Sequence, residues 1–551
     1  MTSQTLQTSP AGEIPAGSIT HGEVYTQRWV VDMILDLVGY TPDRDLAGLT
    51  ITDPACGSGA FLVAIAERLS QSCRKFDREL PPRGIQAFDL LERNVATSRR
   101  NVEASLVNEG WEPQAAKDLA ATWVAQGDYL LQDQHAPADL VVGNPPYIRI
   151  EDVPGPRMDL YRRRNATMTG RSDIYVGFYE QGLKALKPGG KLGFICADRW
   201  MRNQYGRELR KLISANYAVD SLIVMHDVDA FEDKVAAYPA ITVIRNGPQQ
   251  SAAVVDTSKE LQQRHSEELV SWIKSPENMG REHAAFRAAR LPHWFHGAES
   301  WPMGSPDRLA LLEELSDRYP TLEEAGVKVG IGVATGADAV FVTTENDLVE
   351  GDRLLPLSMV RDAKTGNFIW TGHYLINPWT EDGDLVNLED YPRLNSYLHE
   401  NRASVKRRHV AKKNPHRWYR TIDKVDASLT GRPKLLFPDM KLNIHPTLEV
   451  GGYYPHHNLY YMVSHCWDLE VLGGILLSRL AQTFVEAYAV RMRGGTLRFQ
   501  AQYLRRIRVP HPDELTSETK EALAEAFRKR DVEGATQAAL RAYGISHLPT
   551  H

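Results

Sequence analysis

The sequence predicts an α/β protein: a mostly parallel sheet covered by helices on both faces, followed by a second domain of mixed α and β structure. Three observations carry this reading. Strand-like and helix-like apolar patterns alternate from residue 27 to residue 245. Two loops rich in Gly or Pro, at 53–59 and 143–147, follow strand patterns directly. From about residue 301 the alternation stops, and short β-like runs appear between Gly turns.

The elements follow in order. Residues 1–20 are polar, with Gly, Pro, Ser and Thr, and read as a flexible tail. Trp29, Val30, Met33, Ile34, Leu37 and Val38 form the apolar stripe of a helix. Strands are expected at 49–52, 84–88 and 140–142, with helices at 60–69 and 91–107 between them. A helix at 175–187, a strand at 191–196, a helix near 203–213 and strands at 219–225 and 240–245 complete the first domain, set at 21–250. Residues 251–300 read as a polar connector, 301–510 as the second domain and 511–551 as a helical segment packed on it.

Composition narrows the class. In 551 residues, 42% are hydrophobic and 24% charged, which suits a chain with sizeable cores and excludes wholesale disorder. No apolar run reaches the roughly 18 residues of a membrane span, and the first twenty residues hold no Lys or Arg. No membrane association and no secretory signal are therefore expected. Cys56, Cys73, Cys196 and Cys466 are scattered, which excludes a disulfide framework and gives no metal-binding spacing. A reducing cytoplasm is the expected compartment, and no metal is expected.

Net charge is 64 − 70 = −6, yet three segments are basic. Residues 396–441 carry 12 Lys and Arg against 4 acids, so 12 − 4 = +8. Residues 486–508 carry 6 − 1 = +5, and residues 157–171 carry 5 − 1 = +4. Basic stretches with interleaved aromatics, in an acidic chain, suggest a polyanion met along one surface.

Four signals point to one site. Asp53-Pro54-Ala55-Cys56-Gly57-Ser58-Gly59 lies between a strand and a helix. Its glycines permit a tight turn, and the following helix N-terminus suits an anionic group. It is neither GxGxxG nor a P-loop, which weakens nicotinamide and nucleoside-triphosphate readings. Asp89 ends the next strand pattern, where such sheets hold ribose hydroxyls, and Asp128 follows the one after, placed to accept from an exocyclic amine. Strongest is Gly143-Asn144-Pro145-Pro146-Tyr147, an apolar strand stopped by a rigid Pro pair. It offers the Asn144 amide oxygen, a backbone carbonyl and a flat ring, which together suit an amino group on a planar ring.

On these motifs the chain resembles the gamma class of S-adenosylmethionine-dependent DNA adenine-N6 methyltransferases. The order is that of the class: Tyr25-Thr26, then the DPACGSG turn, then NPPY, then a C-terminal recognition domain. Gln27 stands where the family usually has Pro. The resemblance implies a Rossmann-like methyltransferase sheet with helices on both faces, plus a C-terminal mixed α+β target-recognition domain. It implies S-adenosyl-L-methionine held by Tyr25, Thr26, Asp53, Ala55, Cys56, Gly57, Gly59, Asp89, Asp128 and Asn144. It assigns catalysis to Asn144, Pro145, Pro146 and Tyr147, with Phe231, placed before Val235, as the aromatic packing on an extruded base. Ser172 to Tyr175 and Lys187 to Lys191 match later sheet motifs, and 331–336 and 451–454 resemble landmarks of the recognition domain.

The implied reaction is methyl transfer to N6 of an adenine flipped out of double-stranded DNA, without metal or covalent enzyme intermediate. Arg162, Arg163 and Arg164, and Lys406, Arg407 and Arg408, are the expected DNA contacts. A protein-glutamine N5 methyltransferase is the second reading, and a non-catalytic specificity subunit the third. The segments outside these motifs are too short for a nuclease; an orphan enzyme and one paired with a restriction endonuclease encoded elsewhere both fit, and a monomer is expected.

Overall fold

The computed structural model describes residues 24–132, 135–226, 228–232, 238–292, 294–489 and 497–549. The expected tail at 1–20, Val235 and the arginines at 491 and 493 lie outside the described residues. The chain divides into two compact units, Met1–Asp307 and Arg308–His551.

The first unit runs α1 (Arg28–Val38), β1 (Ile51–Asp53), α2 (Ala60–Lys75), β2 (Ile85–Asp89), α3 (Glu92–Asn108), α4 (Pro113–Trp123), β3 (Val124–Gln126) and β4 (Ala138–Gly143). It continues with α5 (Gly155–Arg164), α6 (Tyr175–Ala185), β5 (Leu186–Ala197), α7 (Arg199–Arg202), α8 (Arg207–Asn216), β6 (Ala218–Val224) and β7 (Pro239–Arg245). Then come β8 (Ala252–Thr257), α9 (Gln263–Lys274), β9 (Gly280–His283) and β10 (Phe286–Leu291). All ten strands form one sheet in the order β3-β2-β1-β4-β5-β7-β6-β8-β10-β9.

Two expectations need correction. The sheet is parallel from β3 to β5, but β7 pairs antiparallel with both β5 and β6, and β10 pairs antiparallel with β8 and β9. Residues 251–300 are not a connector: β8, α9, β9 and β10 extend the sheet, so the boundary between units falls at 307.

Successive residues of β5 show how the sheet is covered. A Cβ at Gly193 would lie 2.6 Å from Val38 of α1, so the glycine lets α1 settle onto that face. Its neighbours Leu192 and Phe194 point the other way, toward Gly182 of α6. Helices thus lie on both faces, and α1 ends at Gly39 with φ 84°, a left-handed cap.

In β1–β4 the C-terminal ends share one edge, because β1 is parallel to β2 and β4, and β2 to β3. The strand order reverses between β1 and β4. Such a switch point leaves a crevice at the carboxyl ends, where α/β sheets bind ligands.

The second unit holds two four-stranded sheets. One orders Val327–Ile331, Leu459–Ser464, Lys434–Pro438 and Thr447–Glu449; the other orders Val342–Thr343, Tyr374–Ile376, Leu354–Ser358 and Tyr454–Pro455. Helices Leu469–Leu477, Ser517–Lys529 and Val532–Tyr543 share the core of the first sheet. Among the described residues, no helix is long and apolar enough to cross a membrane.

Candidate active site

The crevice at the β1/β4 switch point is an open cavity. Four strand ends supply most of its walls, with Val24, Tyr25, Thr26, Tyr161, Ile174 and Phe178 completing them. After β1 the chain turns through Gly57 (φ 54°) and Gly59 (φ 97°), both in the left-handed region that favours glycine. Gly59 is the first cap of α2, and a Cβ there would sit 3.1 Å from the Ser98 hydroxyl and 3.3 Å from the Ser98 Cα. The Ser98 hydroxyl donates to the Gly57 carbonyl at 2.7 Å, which fastens the turn to α3.

Asp89, ending β2, holds this turn from the other side. Its carboxylate accepts from the Gly57 N–H at 3.0 Å, the Leu91 N–H at 2.8 Å and Asn94 Nδ2 at 3.1 Å. Asp53 is buried beneath. Its Oδ1 accepts from the Ala55 N–H at 3.2 Å, while its Oδ2 has no hydrogen-bond partner. Burial, with the nearby Asp89 charge, pushes the Asp53 carboxyl up to about 8. Burial and the same two carboxylates push the Cys56 thiol up, which disfavours its thiolate.

Asp128 sits at the cavity wall but is heavily engaged. Its Oδ1 caps the Leu130 N–H at 3.1 Å, and its Oδ2 accepts from Arg157 at 3.0 Å and the Tyr161 hydroxyl at 2.8 Å. The expected reception of an exocyclic amine is therefore limited to the second lone pair of Oδ1.

The β4 end supplies the polar centre. Pro145 and Pro146 lack N–H groups and cannot extend the strand ladder, so the chain leaves the sheet at Asn144. Asn144 Nδ2 donates to the Val24 carbonyl at 2.9 Å and the Thr26 hydroxyl at 3.2 Å. A carbonyl can only accept, which fixes the amide orientation and leaves Asn144 Oδ1, buried without a partner, as the outstanding acceptor. Phe231 meets Tyr147 edge-to-face, with ring centroids 6.2 Å apart. It is held there by backbone pairing with the N-terminal motif: the Gln27 N–H donates to Ala230 at 3.0 Å and the Glu232 N–H to Tyr25 at 2.9 Å.

Of the expected residues, Tyr25, Thr26, Asp53, Ala55, Cys56, Gly57, Asp89, Asp128 and Asn144 to Tyr147 line the cavity together. Gly59 and Phe231 are not among the residues that line it. Tyr129 and Ile174, inside sequence motifs but given no role, also line it, as do Leu90, Asn94 and Phe178, which no motif marked. The apolar faces of Leu90, Tyr129, Ile174 and Phe178 suit a planar heterocycle.

The expected DNA contacts fare differently. Arg162, Arg163 and Arg164 are exposed in the last turn of α5, with Arg162 donating to the Gly170 carbonyl at 2.6 Å and Arg164 to Gln132 at 3.0 Å. Lys406 and Arg407 are exposed. Arg408 differs from the expectation: half-buried, its guanidinium donates to the carbonyls of Val405 (2.9 Å), Thr335 (2.6 Å) and Trp418 (3.0 Å), so it braces the fold. The structure also gathers Asp338, His456 and His457, whose ligand-type atoms lie within 4.8 Å of one another. They come from distant parts of the chain, so no spacing in the sequence could mark them.

A Rossmann-like sheet whose switch-point crevice carries a glycine turn, a strand-end carboxylate and an Asn-Pro-Pro-Tyr loop defines an S-adenosylmethionine-dependent methyltransferase. The cavity fits that cofactor: it combines a glycine cradle, the unpartnered Asp53 oxygen and apolar walls beside Asp89. A sequence model of the Eco57I restriction-modification methylase family matches residues 65–231. The Type II methyltransferase M.PaeR7I of Pseudomonas aeruginosa is 44% identical over 538 residues, covering 96% of this chain and 93% of that protein. The Type II methyltransferase M.XhoI of Xanthomonas vasicola is 42% identical over 533 residues, covering 95% and 97%. The fold is shared with the Type IIL restriction-modification enzyme MmeI, solved in complex with DNA, at TM-score 0.54 and 11% identity over 95% of this chain and 74% of that one. The chain belongs to the Type II DNA methyltransferases of restriction-modification systems, and its cofactor is S-adenosyl-L-methionine.

Proposed function

We propose that this chain methylates N6 of an adenine extruded from double-stranded DNA. The observation that carries the reading is the Asn144 amide, tied by its nitrogen so that Oδ1 remains a buried, unpartnered acceptor at the cavity wall. An exocyclic amino group brings two N–H donors. Asn144 Oδ1 and the Pro145 carbonyl are the acceptors, and an amino nitrogen held by both is drawn toward tetrahedral geometry. Its lone pair, otherwise spread into the ring, becomes available for attack. When bound, S-adenosylmethionine supplies the electrophilic methyl group.

The chain's own contribution is positioning and fixed electrostatics. Tyr147, backed edge-on by Phe231, offers its ring to the extruded base. Asp53, Asp89 and the turn at Gly57 hold the cofactor end. Extraction of a base costs a few kcal/mol, recovered by such a pocket. The relatives that match nearly end to end are named as methyltransferases alone, which supports a separate chain for restriction. We infer a monomeric enzyme, as expected for a chain that meets one DNA site at a time.

Transfer of labelled methyl from the cofactor to unmethylated plasmid DNA, followed by nucleoside analysis, tests the reading. N6-methyladenine is expected. N4-methylcytosine overturns the choice of base, and label found only in added protein favours the glutamine reading.

A further inference from the structure

In the second unit, the segment 331–336 (Ile-Gly-Val-Ala-Thr-Gly) leaves the strand Val327–Ile331 and is tied down at every step. The Gly332 N–H donates to Leu459 and the Val333 N–H to Pro455, both at 2.9 Å. The Ala334 N–H donates to the Asp423 carboxylate at 2.9 Å, and the Asp423 N–H donates back to the Ala334 carbonyl at 3.1 Å. Arg408 clamps the Thr335 carbonyl at 2.6 Å. The Thr335 hydroxyl donates to Asp338 at 2.5 Å, whose other oxygen bonds His456 at 3.0 Å.

Two glycines make this approach possible. A Cβ on Gly332 would fall 2.3 Å from the Pro455 and His456 carbonyls. Gly336, at φ +74°, admits the Ile422 side chain to within 2.8 Å of where its Cβ would be. The segments 331–336 and 420–423 therefore form one ledge, with Arg420 donating to the Thr421 and Ile422 carbonyls at 3.2 Å each.

This rigid ledge displays Ile331, 49% exposed, and Ile422, 47% exposed. Single exposed isoleucines need no explanation. Two on a ledge held by carboxylate, guanidinium and backbone bonds, beside the most basic stretch of the chain, do. Lys406, Arg407, Lys412, Lys413, Arg417 and Lys424 are all exposed there. Lys406 and Arg402 stand over the Trp418 ring at 5.9 and 5.5 Å.

We propose that this ledge is the base-reading element of the second unit. Ile331 and Ile422 make apolar contact with base edges of duplex DNA, while the exposed cations meet flanking phosphates. Charge complementarity selects the partner: the exposed Lys406, Arg407, Lys412, Lys413, Arg417 and Lys424 suit a polyanion. The proposal rests on DNA being the substrate, and it adds which residues discriminate among sequences.

The full chain is used for the test. Sequencing of plasmid DNA after methylation locates the modified site, and a duplex with that site is compared with a scrambled duplex of equal length. Ile331→Ser, Ile422→Ser and the double variant are measured by fluorescence anisotropy, with melting curves alongside. The double variant is expected to lose about 10-fold or more of the site-over-scrambled affinity ratio, with scrambled-duplex affinity and melting unchanged. An unchanged ratio, or equal loss on both duplexes, overturns the proposal while leaving the enzyme a DNA methyltransferase. A wild-type chain that methylates no DNA removes the functional reading itself, and this proposal with it.

Discussion

Asn144 shows how one side chain acquires a single role from its surroundings. Its nitrogen is committed to Val24 and Thr26, so its oxygen, buried and without a partner, is left as the acceptor. Asn144→Ala removes that acceptor and is expected to lower kcat by about 10²–10³-fold, with cofactor affinity little changed. Single-turnover rates and calorimetry on the same preparation separate the two quantities, and a near wild-type rate removes the assignment. Asp53 is the second residue with a distinctive state. Its carboxyl titrates near 8 in the fold because burial disfavours its charge, with the Asp89 charge adding to this. An unfolded aspartate titrates near roughly 3.9. Between those values the folded chain holds a proton that the unfolded chain has released, so stability falls as pH rises from about 4 to about 8 and is level above. Asp53→Asn abolishes that slope. In cofactor-free protein, the melting advantage of the variant is therefore expected to grow from pH 5 to pH 8; a constant difference across that range contradicts it.

At the scale of elements, the turn into α2 carries the most strain-sensitive position. Gly59 is left-handed and pressed against Ser98 of α3. Gly59→Ala is expected to destabilise the protein by about 1–3 kcal/mol and to weaken cofactor binding, read by thermal shift with and without S-adenosylmethionine. This turn was legible because glycine spacing between a strand and a helix has few other uses. So were β1, β2 and β4, apolar runs ending in chemically marked loops. β9 and β10 were not: Gly-Arg-Glu-His is a polar edge strand, and β10 interleaves arginines with its apolar residues. Both looked like solvated connector: β9 is the edge strand and needs no continuous apolar face, and β10, paired between β8 and β9, has its apolar run broken by arginines. α5 was missed for a related reason. Only Met158 and Tyr161 of its ten residues are buried, too few to show a helical period, yet it delivers Arg157 and Tyr161 to Asp128. The Asp338–His456 bond links residues 118 apart and had no local trace.

Across the whole molecule the decisive quantity is where charge is free to act. The chain carries a net −6, and its basic stretches were expected as one kind of surface. The fold sorts them into two. Lys434 is buried against Glu449, and Arg408 spends its guanidinium on three carbonyls. Burial, and the neighbouring Arg420 charge, lower Arg408 to about 10, which still leaves it protonated at neutral pH. Lys406 and Arg407, its immediate neighbours, remain exposed. The two classes have different thermodynamic signatures. A cation that meets phosphate releases counterions, so its loss flattens the dependence of log affinity on log salt by about one unit per contact. A cation that holds carbonyls leaves buried acceptors unmatched when removed, at about 1–3 kcal/mol of stability. Lys406→Ala with Arg407→Ala is thus expected to reduce the salt slope by up to about two units on any duplex, without changing melting or cofactor affinity. Arg408→Ala is expected to lower the melting temperature and leave the slope of the surviving folded protein unchanged. Titrations of a fluorescent duplex at several salt concentrations, paired with melting curves, measure both. Equal slopes for wild type and the Lys406/Arg407 variant would move the phosphate path away from this segment, toward the exposed arginines of α5.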